Sequence, residues 1–346
     1  KRWNERVQKD GISTRLFPFG YGDGGGGPTR DHLEYTRRCR NLEGVPKCRI
    51  CAPVDFFTDL EKRGVPDVHY VGELYFQAHR GTYTSQARTK KGNRKCEFLL
   101  REAEIWGTLA NTANGYPFGN MTLDQDWKTI LTNQFHDILP GSSIKRVYEE
   151  AEADYKKVTE NTGRIIKDAA ETFADKNEAI TVFNSLSWNS KKLVEVPFST
   201  AFCRDEDGNI LPVQSEPFGK FFEVDVPAMG YNTIYPCSET ADIQNTVRAT
   251  ERSLENEYIR VIFNDNGEIT SILDKESGRE LAGDTCNVFK MYKDVPNLFD
   301  AWDIDSNYAN MPVSLESRCD MEVIAQGPLF AALRIKKRLS NSDLEQ

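Results

Sequence analysis

Residues 13–40 read STRLFPFGYGDGGGGPTRDHLEYTRRCR. A strand-like run over 13–19 is followed by a glycine-rich turn over 21–27 and then by helix-forming sequence over 29–40. Pro28 stands just before that helix and Asp31 in its first turn, both signals of a helix start. The alternation continues. Residues 49–52 form a second strand-like run, residues 54–62 a second helical one, and Gly64-Val65-Pro66 ends it. Strands alternating with helices in this way belong to a parallel sheet or a (β/α) barrel.

Downstream the texture changes twice. Residues 90–110 place Phe98, Leu99, Ile105 and Leu109 at helical spacing with charges between them. Residues 123–139 put Leu123, Trp127, Ile130, Leu131, Phe135 and Ile138 on one stripe of a helix that Pro140-Gly141 should break. Ser142 or Ser143 is placed to cap a further long helix carrying Val147, Ala151, Tyr155, Val158, Ile165, Ile166 and Ala169. Helices joined by short turns read as a small bundle. From Ala179 onward short alternating runs dominate, at 181–183, 193–196, 221–226, 233–235, 258–263, 269–273 and 333–339. Asp265-Asn266-Gly267 between two of them is a hairpin signal. Strands of this length and spacing suggest sandwich modules, with the polar stretch 239–252 as a connector between two β units.

Composition narrows the function. The 346 residues carry 44 Lys plus Arg against 53 Asp plus Glu, a formal net charge of −9. An acidic balance argues against an electrostatic nucleic-acid or anionic-membrane surface. No apolar run reaches the ~20 residues that span a bilayer. The eight cysteines are scattered, which does not suit a disulfide scaffold and fits a reducing compartment. Cys48 and Cys51 have metal-ligand spacing, but no second Cys/His pair follows nearby to complete a zinc site.

Three segments could carry chemistry. In the first, Gly24 to Gly27 allow close backbone approach, and Asp23 offers a carboxylate on the rim where a barrel strand ends. Asp23 is either a catalytic group there or an acid that stabilises a tight turn. In the second, NQFHDILPGSS (133–143), His136 turns away from the apolar stripe and stands beside Asp137. That pair suits a metal ligand with a neighbouring carboxylate, or a solvated His at a helix C-terminus. The third, YFQAHRGTYTSQ (75–86), is dense in aromatic, imidazole and hydroxyl groups, including His79 and Tyr83. It suits a sugar, or packing between domains.

Together these segments resemble family 38 glycoside hydrolases, the retaining α-mannosidases, in the branch of cytosolic, vacuolar and bacterial enzymes. The likeness is carried by FPFGYGDGGGGPTR, VGELYFQAHRGTYTSQARTKKGNRKCEFLLREAEI, LTNQFHDILPGSSI, VFNSLSW and LENEYIRVIFNDNGEITSILDKESGRE with FDAWDID. The resemblance implies a multidomain α/β, α and β chain. Residues 1–75 would end a (β/α)7 barrel, 76–175 form a three-helix-type bundle, 176–240 a small β-sandwich and 241–346 the start of a larger one.

It also implies one catalytic zinc ion. His136 matches the bundle ligand of that ion, and Asp137 an acid that contacts the mannose. Asp23 matches the region of the acid/base carboxylate, and His79 through Tyr83 a segment lining the sugar site. No His-x-Asp or His-x-His segment precedes Asp23, so the remaining ligands and the nucleophile are expected outside this chain, which alone would be an inactive internal fragment. The activity expected of the whole is exo-hydrolysis of terminal α-mannosyl residues from oligosaccharides in the cytoplasm, or in the vacuole of a fungal relative. No nucleic-acid or membrane partner is expected, and a homo-oligomer would form through the full-length protein. The competing readings are a mannosylglycerate hydrolase of the same family and a non-catalytic carbohydrate-binding scaffold.

Overall fold

The computed structural model describes residues 3–5, 12–64, 69–74, 78–174, 178–197, 199–315 and 317–346. The chain divides into two compact units, Lys1–Leu74 and Tyr75–Gln346.

In the first unit the glycine-rich turn becomes a 3-10 turn at Gly22–Gly24, closed by Tyr21 N–H donating to Gly26 O at 2.9 Å. Gly22 and Gly25 sit at φ +52° and +71°, where a side chain would be strained. Helix α1 spans Arg30–Arg38 and starts at Thr29. Thr29 N–H donates to His32 Nδ1 at 3.1 Å, so an imidazole fills the place usually held by Glu or Gln in a capping box. Helix α2 spans Pro53–Arg63, with Asp55 accepting the Ala52 N–H at 3.2 Å and Gly64 at φ +101° ending it. Both helices lie where the sequence placed them. The runs 13–19 and 49–52 do not pair as strands among the described residues. A strand of a parallel sheet is defined by its neighbours, and among the described residues of this unit none completes a ladder.

The second unit opens with three helices, α3 (Ala87–Asn114), α4 (Asn120–Asn133) and α5 (Lys145–Ala170). Their shared core is Cys96, Leu100, Ala103, Leu123, Ile130, Ala151, Tyr155 and Val158. Gly92 lets α3 and α5 approach closely, because a Cβ there would stand 2.5 Å from the Tyr155 ring.

Two features differ from the expected pattern. Helix α4 stops six residues short of Leu139, and Leu131 and Phe135 are 58 % and 56 % exposed instead of joining a buried stripe. The Gln134 side chain is pinned to α3 through Asn93 Oδ1 at 3.0 Å and Glu97 Oε1 at 2.9 Å. The ladder breaks where Phe135 N–H bonds Thr132 O at 3.1 Å, and the carbonyls of Asp137 and Leu139 accept from Ser143 Oγ and Lys90 Nζ. The Ser143 hydroxyl is committed to Asp137 O, and neither Ser142 nor Ser143 caps α5. Ile144 is its N-cap, without a side-chain bond.

Beyond α5 the described residues form β-strands and their connections, with a 3-10 turn at Ser306–Asn310. One antiparallel sheet orders Ile180–Asn184, Gly230–Cys237, Phe202–Arg204 and Ile210–Pro212; another orders Ser190–Glu195, Gly219–Val226 and Gln214–Glu216. Val196, Cys203, Val213, Phe222, Val224, Val226 and Ile234 make the apolar core that both share. Asn184 in the VFNSLSW motif explains that motif structurally. Fully buried, it donates from Nδ2 to the carbonyls of Trp188, Val226 and Pro227 and accepts Leu186 N–H. Next to it, Ser185 O accepts from Arg101 Nη2 of α3 at 2.9 Å, docking the β region onto the helices.

A five-stranded meander follows over Arg248–Thr250, Ser253–Glu255, Ile259–Phe263, Ile269–Asp274 and Arg279–Glu280. Its central hairpin turns at Gly267, φ +65°, where the DNG signal predicts it. A short pair, Met291–Tyr292 with Pro312–Val313, precedes the last sheet of Ser317–Gln326, Ala331–Leu339 and Ser342–Glu345.

Candidate functional site

The second unit brings three sequence segments into one hydrogen-bonded assembly: 79–86, 136–143 and 299–304. The first contains a 3-10 turn, Arg80–Tyr83, held by Thr82, whose N–H and hydroxyl both bond His79 O, at 3.2 and 2.8 Å. Thr82 is buried while Tyr83 is 44 % exposed, so the turn presents the phenol ring outward on a fixed base. Ser85 Oγ donates to Gly81 O at 2.6 Å and continues the turn into α3.

Lys90 joins this segment to the second. Its ammonium donates to Ser85 O at 2.6 Å, Leu139 O at 2.8 Å and Pro140 O at 3.2 Å. A cation in the first turn of a helix opposes the helix dipole. Here three carbonyls offset that cost, although burial pushes the Lys90 pKa below the ordinary lysine value. Gly141, at φ +97°, completes the contact, since a Cβ would fall 2.8 Å from Ser85 O. The 137–143 loop is latched to α5 as well, with Ser143 N–H donating to the buried Tyr148 hydroxyl at 2.6 Å.

His136 lies in the turn after α4, not within the helix, because α4 ends at Asn133. Its Nε2 is 3.4 Å from Asp137 Oδ2, and the two side chains are 72 % and 47 % exposed. The pair is a solvent-facing imidazole beside a carboxylate on a loop anchored at both ends. As a zinc donor set it fits one ligand position, with Asp137 able to orient the ring. A catalytic zinc needs three protein ligands, and among the described residues no group of three His, Cys, Asp or Glu is placed to hold a metal ion.

The third segment reaches this assembly from the β region. Gly81 N–H donates to Trp302 O at 3.0 Å, and Arg80 Nη1 donates to Ile304 O at 3.0 Å. Neither Lys90 nor Trp302 stood out in the sequence as a site residue. Their partners are backbone carbonyls and ring edges from distant segments, which no local spacing reveals. Asp23 belongs to the first unit; its backbone is the middle of the 3-10 turn Gly22–Gly24, and its side chain lies outside the described residues. The Cys48 thiol donates to Pro46 O at 3.4 Å, and Cys48 N–H to Cys39 O at 3.1 Å.

Comparison with known proteins matches three parts of the chain, in order, to family profiles. Residues 1–84 match the glycosyl hydrolases family 38 N-terminal domain, 77–173 the alpha mannosidase middle domain and 254–346 the family 38 C-terminal domain. Human Alpha-mannosidase 2C1 is 33 % identical over 83 % of this chain and 27 % of its own length. Alpha-mannosidase G of Dictyostelium discoideum is 30 % identical over 94 % of this chain and 34 % of its own. Alpha-mannosidase of Saccharomyces cerevisiae is 30 % identical over 90 % of this chain and 28 % of its own. The chain thus spans about a quarter to a third of the length of these curated relatives. In fold it is similar to the crystal structure of an alpha-mannosidase from Enterococcus faecalis V583, with a TM-score of 0.61 at 17 % identity, covering 89 % of this chain and 42 % of that one. On the order of its three domain matches and the likeness of these relatives, the chain belongs to glycosyl hydrolase family 38.

Proposed function

We propose that this chain is part of a retaining exo-α-mannosidase that removes terminal α-D-mannosyl residues from oligosaccharides or glycans. The observation that carries the reading is the Lys90 clamp. It holds the segment of His79 and Tyr83 and the loop of His136 and Asp137 against one another in a chain of this family. An exposed phenol, an imidazole and a carboxylate on fixed backbones are suited to a ligand with many hydroxyl groups. In this reading His79, Tyr83 and Asp137 contact the mannose.

Asp23 supplies the acid/base. Double displacement requires two carboxyl groups about 5–5.5 Å apart, one to attack the anomeric carbon and one to protonate the leaving oxygen and later deprotonate water. Asp23 takes the second role, and to act as an acid near neutrality it must be held protonated by burial or by the anionic nucleophile. His136 would donate one ligand to zinc, with Asp137 beside it. A zinc ion held there would supply electrostatic stabilisation of the charge that develops on the sugar. Eight cysteines without a disulfide framework fit a cytoplasmic enzyme, and among the described residues no helix is long and apolar enough to cross a membrane.

The test uses an aryl α-mannoside with the full-length protein. The first sugar released should carry the α configuration by NMR; a β product would overturn retention. Asp23→Ala should slow substrates with poor leaving groups far more than activated ones, with azide partly restoring turnover of the latter. An equal loss for both, without azide rescue, would return Asp23 to the role of a turn residue.

A further inference from the structure

The loop over 299–304 belongs to the β region, more than 200 residues from His79–Tyr83 in sequence, yet four of its contacts fall on three consecutive residues of that turn. The His79 imidazole meets the Trp302 indole edge-on, with centroids 5.4 Å apart and planes at 90°. Arg80 N–H points at Asp303 Oδ1, 3.4 Å away, and its guanidinium donates to Ile304 O at 3.0 Å. Gly81 N–H donates to Trp302 O at 3.0 Å, and a Cβ on Gly81 would stand 3.3 Å from that same oxygen.

The loop is itself built to make this approach. Phe299 takes φ +59°, an uncommon conformation for a bulky residue, and its carbonyl accepts both Trp302 N–H at 2.8 Å and Asp303 N–H at 2.9 Å. Strain of this kind persists where the surroundings over-determine it, and it concentrates at functional sites. Trp302 and Asp303 are partly buried, while the Phe299 ring is 75 % exposed.

We infer that the 299–304 loop is a positioning element for the sugar-contacting turn, with Trp302 as the residue that sets the orientation of the His79 imidazole. The inference rests on the assignment of His79 to the mannose site. A ring edge packed against an imidazole restricts its rotation about the side-chain bonds. The β region thereby acts on substrate affinity through His79, and Trp302 makes no contact with the reacting atoms.

The experiment combines steady-state kinetics of the full-length protein on an aryl α-mannoside with hydrogen exchange of the same variants. Trp302→Ala should raise KM about tenfold while kcat changes less than about threefold, because a ground-state sugar contact is lost and no transition-state group is touched. Trp302→Phe, which keeps a ring edge, should return KM to within about threefold of the parent. The double variant of His79→Ala and Trp302→Ala should have the KM of the worse single variant, since both changes remove the same contact. If Trp302→Ala does not fold, Gly81→Ala tests the same junction from the other side and should raise KM in the same way.

Exchange should quicken in the peptide over 78–86 and stay unchanged in α3 beyond Lys95. A Trp302→Ala protein with parental KM and parental exchange at 78–86 would overturn the inference, as would single effects on KM that multiply in the double variant. If exchange at 78–86 rises but His79→Ala leaves KM unaltered, the loop still positions the turn, and it is the assignment of His79 to the sugar site that fails.

Discussion

Replacing Lys90 by Met keeps most of the aliphatic stem and removes the charge that joins the two candidate site segments. Its ammonium has two short bonds, 2.6 Å to Ser85 O and 2.8 Å to Leu139 O, and one longer bond of 3.2 Å to Pro140 O. Hydrogen bonds to charged groups contribute about 1.5–3 kcal/mol each. Burial of the ammonium, which lowers its pKa, offsets part of that. Water can also reach a half-buried junction. Taking the lower value for the two short bonds and nothing for the third gives a loss of roughly 3 kcal/mol. At roughly 2–4 °C per kcal/mol for a unit of this size, Tm should fall by roughly 6–12 °C. Thermal unfolding followed by circular dichroism at the helical band reads this directly. Hydrogen exchange should quicken at 139–143 more than in the α3–α5 core. Lys90→Arg, which keeps a cation, should lose less. A Lys90→Met protein within about 2 °C of the parent would show that the three carbonyls find other partners. The clamp would then not be what holds the His136 loop to the Tyr83 turn.

Gly92→Ala should destabilise despite the better helix propensity of alanine, worth about 1 kcal/mol. The new Cβ would lie 2.5 Å from Tyr155 Cδ2 between two packed helices, and overpacking there costs about 1–3 kcal/mol; a raised Tm would refute it. Glu280 accepts from Ser271 Oγ at 2.6 Å, Ile272 N–H at 2.7 Å and Ala282 N–H at 2.9 Å, and these bonds hold its pKa down to about 2 from 4.5. A depressed carboxylate stabilises the fold above its unfolded pKa and ceases to do so as pH falls through the folded value. The Tm advantage of the parent over Glu280→Gln should therefore be full above pH 4.5 and shrink towards pH 2, with reversible melts at each pH as the check. His136→Ala should lower zinc content and mannosidase activity together in the full-length protein, measured by elemental analysis and aryl-mannoside hydrolysis; full zinc with full activity would remove His136 from the ligand set.

The sequence by itself determined what depends on local spacing. Helices α1, α2, α3 and α5 and the strands at the seven runs read after Ala179 lie where periodicity and turn chemistry place them. A 3.6-residue or two-residue apolar repeat commits a segment to one buried face wherever it packs. The DNG hairpin is legible for the same reason, since the left-handed φ at Gly267 is a property of that residue. The segments of the candidate site were legible as clusters of residue types.

Tertiary structure decided the rest. Helix α4 ends at Asn133, where Phe135 N–H turns to Thr132 O and the Gln134 side chain is held by Asn93 and Glu97 of α3, partners 41 and 37 residues away. His136 therefore stands in a turn, and Ser143 latches the loop it was expected to leave as a cap. The runs 13–19 and 49–52 carry a strand-like pattern without a ladder among the described residues, because pairing is a property of two segments and never of one. The meeting of His79 with Trp302 across more than 200 residues follows the same logic. Residue types announce that a segment can bind or pack, whereas the partner it binds or packs against is chosen only when the chain closes on itself.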